Sequence, residues 1–414
     1  MSDISSKASR GVASAAAWLT PRRLRAHAIL LAVCLWGVCV VDFSQPGPFD
    51  RAGNLKFQDF LPFYAAAQMV KSGHAADLYD RKMQNDAMQA AIGQPVHASL
   101  PYLYGPQVAW ILTPLSNLPF PSAAPAWAVI NLFLFAACVY VVWRTCEHLA
   151  IFPGFVALIA VAYPPVFHLF VRGQNSAIVL ACLTAAYLAF RAKLNLAAGF
   201  ALGLLAFKPQ FLIAIPLILL LSMSWRSLVG VLASSGLQLA FTRLYFGPAT
   251  WHAYLDTLVH ASRWLNAAEV TLAPLQMHSL RAFWSLLVPS PKVSFALYAV
   301  AAIAAIAIAT AVWKSSAPLA VRFSGLTLGA LLVNPHLFIY DLLVLAPVLL
   351  LLADWACARR DKISSTIKLL LYLAVLLPLF GPVARWTHLQ VSVVVFALLL
   401  WSLSRIADQK QIAA

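Results

Sequence analysis

Twelve apolar segments, separated by short polar or basic stretches, run along this chain of 414 residues. A membrane-spanning helix needs about 20 mostly apolar residues, with roughly 17 as the lower limit. The pattern predicts an all-α polytopic membrane protein with about twelve transmembrane helices. The predicted segments are 27–43, 123–145, 150–170, 175–191, 195–207, 209–223, 226–246, 293–313, 318–333, 337–353, 365–381 and 388–405.

Only Lys208-Pro209 separates two of these segments, 195–207 and 209–223, and both are shorter than a usual membrane span. They are interpreted either as one broken helix or as two helices. Basic loops are typical of the cytoplasmic side of a membrane. Counting two helices places every short basic loop on the side of the basic N-terminus, so two helices are preferred. The residues assigned to that side are Arg144, Arg191, Lys193, Arg226, Lys314, the basic cluster 359–362 and Arg405.

This topology divides the chain into a cytoplasmic basic N-terminus (1–26), one integral membrane domain (27–406) and a cytoplasmic tail (407–414). Two long loops, 44–122 and 247–292, lie on the outer face. The topology requires that 106–118 does not cross the membrane, and its prolines favour an interfacial or re-entrant segment. Amphipathic stretches suited to the membrane surface are predicted at 61–71, 78–91 and 277–288.

Composition supports the membrane assignment, because 62% of the residues are hydrophobic and only 10% are charged. Soluble domains contain roughly a quarter charged residues. The net charge of +15 is spread over the ends of apolar segments, as topology signals and lipid contacts would be, so nucleic-acid binding is not favoured. The six cysteines lie in or beside the predicted helices without metal-site spacing, which supports neither a disulfide framework nor a zinc site.

The first outer loop contains the strongest candidate for chemistry. Asp59 lies among Phe57, Phe60, Phe63 and Tyr64, where the chain returns towards the membrane. A carboxylate in such a half-dry setting is a plausible general base. The alternative is that Asp59 only caps the helix that begins near position 61, because Asp is a favoured N-cap residue. For Asp77 and Asp80, which flank a turn, capping is the preferred interpretation.

Polar residues at three other points of the outer face are suited to binding a phosphate group. Arg172, Gln174 and Asn175 are placed at a predicted helix start, Lys208 between two helices, and His336 at another helix start. For Arg172 and Lys208 the alternative is that the side chains extend to lipid headgroups.

Asp341 is the second carboxylate of interest, because it is predicted about one turn inside a helix, where an acid is costly and usually paired or functional. With His336 it also matches the H-x-x-x-x-D spacing of a class of glycerolipid acyltransferases. Residues five apart on a helix point about 140° from each other, so this spacing is weak support for that chemistry. The residues alone leave the choice between Asp59 and Asp341 open.

Five motifs in order resemble glycosyltransferase family 87, a family of multi-spanning GT-C enzymes related to bacterial polyprenyl-phosphate-mannose-dependent α-mannosyltransferases. The motifs are DFLPFYAAAQMVKSGHAADLYD, PYLYGPQVAWILTPLSNLPF, RGQNSAIVL, FKPQ and VNPHLFIYD. The resemblance extends from about Gln58 to Tyr340, and the 247–292 loop contains no matching motif.

The resemblance implies a GT-C fold and an inverting transfer of a sugar, by default mannose, from a polyprenyl-phosphate donor to a hydroxyl of a lipid or glycan acceptor. It implies that Asp59 is the catalytic base and that the site faces the periplasm, or the outside of the cell, from a bacterial inner (plasma) membrane. Such a reaction needs cations at the leaving phosphate, a role that Arg172, Lys208 and His336 fit. Further candidates for substrate binding are Gln174, Asn175, Tyr64, Tyr104 and Asp341. No cofactor and no metal is expected.

Two other functions remain as alternatives. A polytopic secondary transporter would have internal repeats and ionisable groups near the bilayer midplane. The two halves of this chain look unlike, and Asp341 is the closest case of a deep ionisable group. A membrane acyltransferase rests on the spacing of His336 and Asp341 alone.

Overall fold

A computed structural model describes residues 14–95, 101–260 and 274–412, the side chains of 409–412 excepted. The described residues are almost entirely helical. Seven helices are long and apolar enough to cross a membrane by length and composition, so the chain is a helical integral membrane protein. These are Pro21–Phe43, Phe120–Trp143, Trp225–Tyr245, Pro291–Lys314, Ile339–Cys357, Lys362–Thr387 and Val391–Asp408, and the last continues as helix to Ile412.

The other five predicted segments are also helical. Pro153–Ala162 and Pro164–Arg172 form a pair bent by 53°, which counts as an eighth span if the two are taken together. The bend occurs because Tyr163, before a proline, adopts an extended conformation (φ −70°, ψ 114°). Four shorter apolar helices account for the difference between this number and the twelve predicted. They are Ser176–Arg191, Asn195–Phe207, Pro209–Leu221 and Leu319–Val333.

Some predicted boundaries were wrong. The first helix begins at Pro21 rather than at residue 27, because Thr20 caps it by accepting a hydrogen bond from the Arg23 amide, and its basic residues lie within the first turns. The last helix ends at Ile412 rather than near residue 405, and the assignment of 407–414 to a cytoplasmic tail stays a prediction. By contrast, the expectation that 106–118 does not span is confirmed. Its helix, Pro106–Ile111, has six residues and is about 9 Å long.

The two long loops contain the amphipathic helices that their patterns predict. In the first loop these are Leu61–Lys71 and Arg81–Ile92, joined by the short turn Ala75–Asp77. Asp80 caps the second of them by accepting a hydrogen bond from the Met83 amide at 2.9 Å, which confirms its predicted role. The second loop contains Gly247–Val259 and Leu280–Leu287.

The predicted basic loops meet at one end of the bundle, called here the basic end. Asp354 accepts hydrogen bonds from the backbone amides of residues 147–149, which ties two of these loops together. The ring centroids of Trp313 and Phe190 lie 4.9 Å apart, and the Trp313 indole N–H donates a hydrogen bond to the Ser224 hydroxyl at 3.0 Å. These contacts join three more helix ends. The alternation inferred from Lys and Arg therefore matches the packing of the helix ends.

Helix Leu319–Val333 lies at the centre of the bundle, and every residue from Phe323 to Val333 is buried. Close packing elsewhere depends on glycine. A Cβ atom at Gly199 would lie 1.9 Å from the Ser227 carbonyl oxygen of the adjacent helix, and one at Gly230 would lie 2.2 Å from that of Leu196. Small residues at such crossings let helix backbones approach closely within a membrane.

Candidate functional site

At the end of the bundle opposite the basic end, called here the site end, the loop that contains Asp59 pairs with the end of the bent span. The Phe57 amide donates to the Val171 carbonyl at 3.2 Å, and the Asp59 amide donates to the Arg172 carbonyl at 3.0 Å. Phe57 adopts a left-handed conformation with φ of 55°. These two backbone hydrogen bonds place the Asp59 side chain beside residues 172–175.

Gly173 permits this approach. Its φ is +70°, and a Cβ atom there would lie 2.9 Å from the Phe60 Cβ and 3.2 Å from the Phe57 Cβ. Its carbonyl accepts a hydrogen bond from the Trp127 indole at 3.0 Å. Glycine is therefore required both by the backbone conformation and by the space.

The Asp59 carboxylate is buried, with 3% of the residue exposed. Its Oδ2 accepts a hydrogen bond from Gln174 Nε2 at 2.9 Å. Its Oδ1 has no hydrogen-bond partner among the described residues, and Arg172 Nη1 lies 3.9 Å from it. The capping alternative is wrong, since the N-cap of Leu61–Lys71 is Phe60 and no side chain caps that helix.

The surroundings of Asp59 raise its pKa above the ordinary value for an aspartate. Burial is the largest cause, because desolvation penalises the charged form. The Arg172 guanidinium, the Gln174 hydrogen bond and Lys208 act in the opposite direction, and the Asp341 charge adds to the rise. A carboxylate with a raised pKa and an unpaired oxygen is suited to accept a proton.

A second cluster surrounds Lys208, whose backbone is non-helical (φ −123°, ψ 75°) between the short helices Leu204–Phe207 and Pro209–Leu212. Lys208 Nζ lies 2.9 Å from Asp341 Oδ1, and Ser176 donates to the same oxygen at 2.8 Å. The other carboxylate oxygen accepts from the Phe338 amide at 3.3 Å. The prediction that Lys208 lies at a break between two helices is confirmed.

Residues 172–176 connect the two clusters, because Arg172 and Gln174 contact Asp59 while Ser176 contacts Asp341. Two carboxylates and two cations thus lie together, and their formal charges cancel. Arg172 differs from Lys208 in access: its side chain is 34% exposed, whereas that of Lys208 is 1% exposed. An incoming anion therefore meets Arg172 first.

Asn175 lies between the two clusters and is completely buried. Neither the nitrogen nor the oxygen of its side-chain amide has a hydrogen-bond partner among the described residues. The same holds for the Nδ2 atom of Asn334, whose Oδ1 accepts from the His336 amide at 2.9 Å. An unpaired buried polar group costs about 1–3 kcal/mol, so these atoms favour a polar ligand in their neighbourhood.

The remaining predicted residues are placed differently. The Tyr104 ring centroid lies 5.7 Å from Lys208 Nζ, within the second cluster. His336 is exposed at the site end, and its ring packs edge-to-face with that of Phe338 with 4.9 Å between the ring centroids. Tyr64 points away, since its hydroxyl donates to the Leu118 carbonyl at 2.7 Å. Arg172 ends a helix rather than beginning one, because Gly173 terminates Pro164–Arg172.

Ser176 lies in the RGQNS motif directly after Asn175, but nothing in the sequence pattern distinguishes its hydroxyl as a partner of Asp341. The H-x-x-x-x-D pattern is not a catalytic pair here, because the Asp341 oxygens are occupied by Lys208, Ser176 and the Phe338 amide. Within the described ranges no group of three or more His, Cys, Asp or Glu side chains could hold a metal ion. That the protein uses no metal stays a prediction.

The fold and the site define a helical membrane protein with a buried carboxylate and cations at one end of its bundle. A sequence model of glycosyltransferase family 87 matches residues 102–335, more than half of the chain, so the chain belongs to this family. It is therefore a membrane glycosyltransferase, which removes the transporter and acyltransferase alternatives. Among curated proteins and solved structures, none matches.

The match covers only part of the predicted site. Tyr104, Arg172, Gln174, Asn175 and Lys208 fall within it. Those outside it are Asp59, Tyr64, His336 and Asp341.

Proposed function

We propose that this protein transfers a sugar, by default mannose, from a polyprenyl-phosphate donor to a hydroxyl of a lipid or glycan acceptor, with inversion at the anomeric carbon. Asp59 is the general base. Membership of a glycosyltransferase family supports the reaction class. The observation that carries the assignment of Asp59 is its buried carboxylate, which has one unpaired oxygen beside the half-exposed guanidinium of Arg172.

The proposed step moves one proton and exchanges one bond. The acceptor hydroxyl gives its proton to Asp59 Oδ1 while its oxygen forms a bond to the anomeric carbon. The bond from that carbon to the phosphate oxygen breaks, and its electron pair leaves with polyprenyl phosphate. Attack opposite to the leaving group inverts the centre, so a β-linked donor gives an α-linked product. The phosphate is already a stable anion, so no general acid is required.

Arg172 supplies the positive charge that the departing phosphate needs, since stabilisation of developing charge is often the largest catalytic contribution. Lys208 acts through its field, because its ammonium is already paired with Asp341. His336 is exposed near the same end and is a further donor to the phosphate. Gln174 fixes the Asp59 carboxylate through its hydrogen bond to Oδ2.

The proposed orientation follows from the basic end. Cytoplasmic loops are enriched in Lys and Arg, so this end faces the cytoplasm and the site end faces the periplasm of a bacterial inner membrane. A lipid-linked donor suits this side, where nucleotide sugars are not supplied. The acceptor is a lipid-linked or polymeric glycan.

Transfer of radiolabel from polyprenyl-phosphate-mannose in membranes that contain the full-length protein tests the proposal. Wild type is expected to label a lipid or glycan fraction, and Asp59→Asn is expected to lose this labelling by a factor of about 10²–10⁴, the usual contribution of a general base. Asp86→Asn is the matched control, because Asp86 lies in the same loop, exposed and paired with Lys82.

Near-normal transfer by Asp59→Asn would refute the assignment of the base. Label from another polyprenyl-phosphate sugar, but none from mannose, would replace mannose while leaving the donor class intact. Activity that is lost in EDTA and restored by a divalent cation would contradict the expectation of a metal-free site.

A further inference from the structure

A cavity of about 490 Å³, whose lining includes none of the site residues, lies between helix Pro21–Phe43 and the rest of the bundle. Its walls come mainly from five helices, which are Pro21–Phe43, Phe120–Trp143, Pro153–Ala162, Ala346–Cys357 and Lys362–Leu376. Apolar side chains make up nearly all of the lining. The site described above does not use this cavity.

The cavity extends through about half of a bilayer. Both Ala346 and Cys357 line it, and the 12-residue helix between them rises about 18 Å. Half of a hydrocarbon core of roughly 30 Å is about 15 Å. The cavity thus runs from the basic end to about mid-membrane, the depth that one acyl chain of a single leaflet occupies.

Charge at the basic end of the cavity is positive. Arg25 and Lys368 line it, and no described lining residue is Asp or Glu. Neither cation has an ion-pair partner in the described ranges. Asp354, on a neighbouring turn, is occupied by the backbone amides of residues 147–149. His27 and Tyr372 form a hydrogen bond of 2.8 Å at the same rim.

We propose that this cavity binds one anionic phospholipid of the leaflet at the basic end. An acyl chain fills the apolar part, and the headgroup phosphate lies between Arg25 and Lys368. Basic pockets between transmembrane helices are suited to anionic headgroups. The lipid then fills the space between the first helix and the bundle. Few contacts otherwise cover that helix, in which only Ala28 and Cys39 are buried.

Thermal unfolding of the full-length protein in neutral detergent, titrated with phosphatidylglycerol, tests this proposal. A ligand of the folded state raises Tm with its concentration. We expect a saturable rise of a few degrees, none with phosphatidylcholine of the same chains, and one retained phosphatidylglycerol by native mass spectrometry. The variant Arg25→Gln/Lys368→Gln is expected to lose both effects.

Arg226→Gln/Lys314→Gln is the matched control, because both cations are exposed at the basic end but lie outside the cavity. It should keep the rise in Tm. Ala353→Phe places a ring in the cavity without changing the charge, so it should reduce lipid retention. This variant tests the cavity even if Arg25→Gln/Lys368→Gln folds poorly.

Three results would overturn the proposal. One is an equal response to both phospholipids. Another is a phosphatidylglycerol effect that persists in Arg25→Gln/Lys368→Gln. The third is a response to polyprenyl phosphate alone, which would make the cavity a site for the carrier lipid.

Discussion

Lys208 and Asp341 form an ion pair with 2.9 Å between Nζ and Oδ1, and both side chains are almost completely buried. Removing one partner of such a pair leaves an uncompensated buried charge, which is usually more damaging than removing both. The Tyr104 and Tyr340 rings lie 5.7 Å and 5.9 Å from the ammonium and complete its surroundings.

Lys208→Met is therefore expected to destabilise the protein by about 3–5 kcal/mol, the usual cost of breaking a buried pair. The double variant Lys208→Met/Asp341→Asn should recover much of this loss, because Asn keeps an acceptor for Ser176 and carries no charge. Thermal unfolding of the two single variants and the double variant measures the coupling. Additive losses would show that the pair contributes no mutual stabilisation.

Transfer activity is expected to depend on pH through Asp59. A base acts when deprotonated, so activity falls as pH decreases through its pKa, and burial places that pKa above the ordinary aspartate range. The phosphate of the proposed donor would add a negative charge beside the carboxylate and raise its pKa further. The acidic limb of kcat should therefore lie at higher pH than that of kcat/KM.

Arg172→Gln removes the cation that most lowers the pKa of Asp59. Both acidic limbs should move to higher pH, and KM for the donor should rise. Arg144→Gln, at the basic end, serves as the control and should leave both limbs in place. An unchanged pH profile in Arg172→Gln would show that Arg172 does not influence the pKa of the proposed base.

Gly173→Ala is expected to disturb the loop that holds the base. The added Cβ atom meets the Phe60 Cβ at 2.9 Å, in addition to the strain of φ +70°. Gly93→Ala has nearly the same φ, +69°, with no atom within 4 Å of its Cβ, so it isolates the backbone strain of about 1–2 kcal/mol. Transfer rates and Tm should both fall more in Gly173→Ala, and equal losses in the two variants would contradict the steric argument.

Gly199→Ala should destabilise the helix pair that contains it, since its Cβ would overlap the Ser227 carbonyl. Gly236 lies in Trp225–Tyr245, the helix that also contains Ser227, and a Cβ atom there would have no atom within 4 Å. Gly236→Ala should therefore be neutral or stabilising by about 0.5–1 kcal/mol. Thermal unfolding compares the two. A destabilised Gly236→Ala would indicate a contact other than this helix pair.

Hydrophobic periodicity and the distribution of Lys and Arg were sufficient to predict the helices and the two ends of the bundle, because both reflect the bilayer. The bend before Pro164 depends on a local extended residue inside an apolar run, which a hydropathy pattern does not reveal. Aromatic neighbours and the family motifs indicated Asp59 as the candidate base, a role that stays a prediction. The contacts of Asp59 with Gln174 and Arg172 were not predicted, because both residues lie more than a hundred positions further along the chain.

The pair Lys208–Asp341 was missed for the same reason, since 133 residues separate its members. From the sequence, Lys208 was predicted to be a cation available to a phosphate group. In the structure its charge is balanced by Asp341. The unpaired amide of Asn175 is likewise a property of its burial, which only the packed structure reveals.

The hydrogen bonds from Phe57 to Val171 and from Asp59 to Arg172 join the segments that carry the proposed base and the proposed cation into one unit. Rotation of helix Pro164–Arg172 about the proline break would carry both groups together and preserve their separation. Asp59 is buried, whereas the Arg172 side chain beside it is 34% exposed. The separation of the two groups is thus fixed by backbone pairing between distant parts of the chain, and not by the two side chains alone.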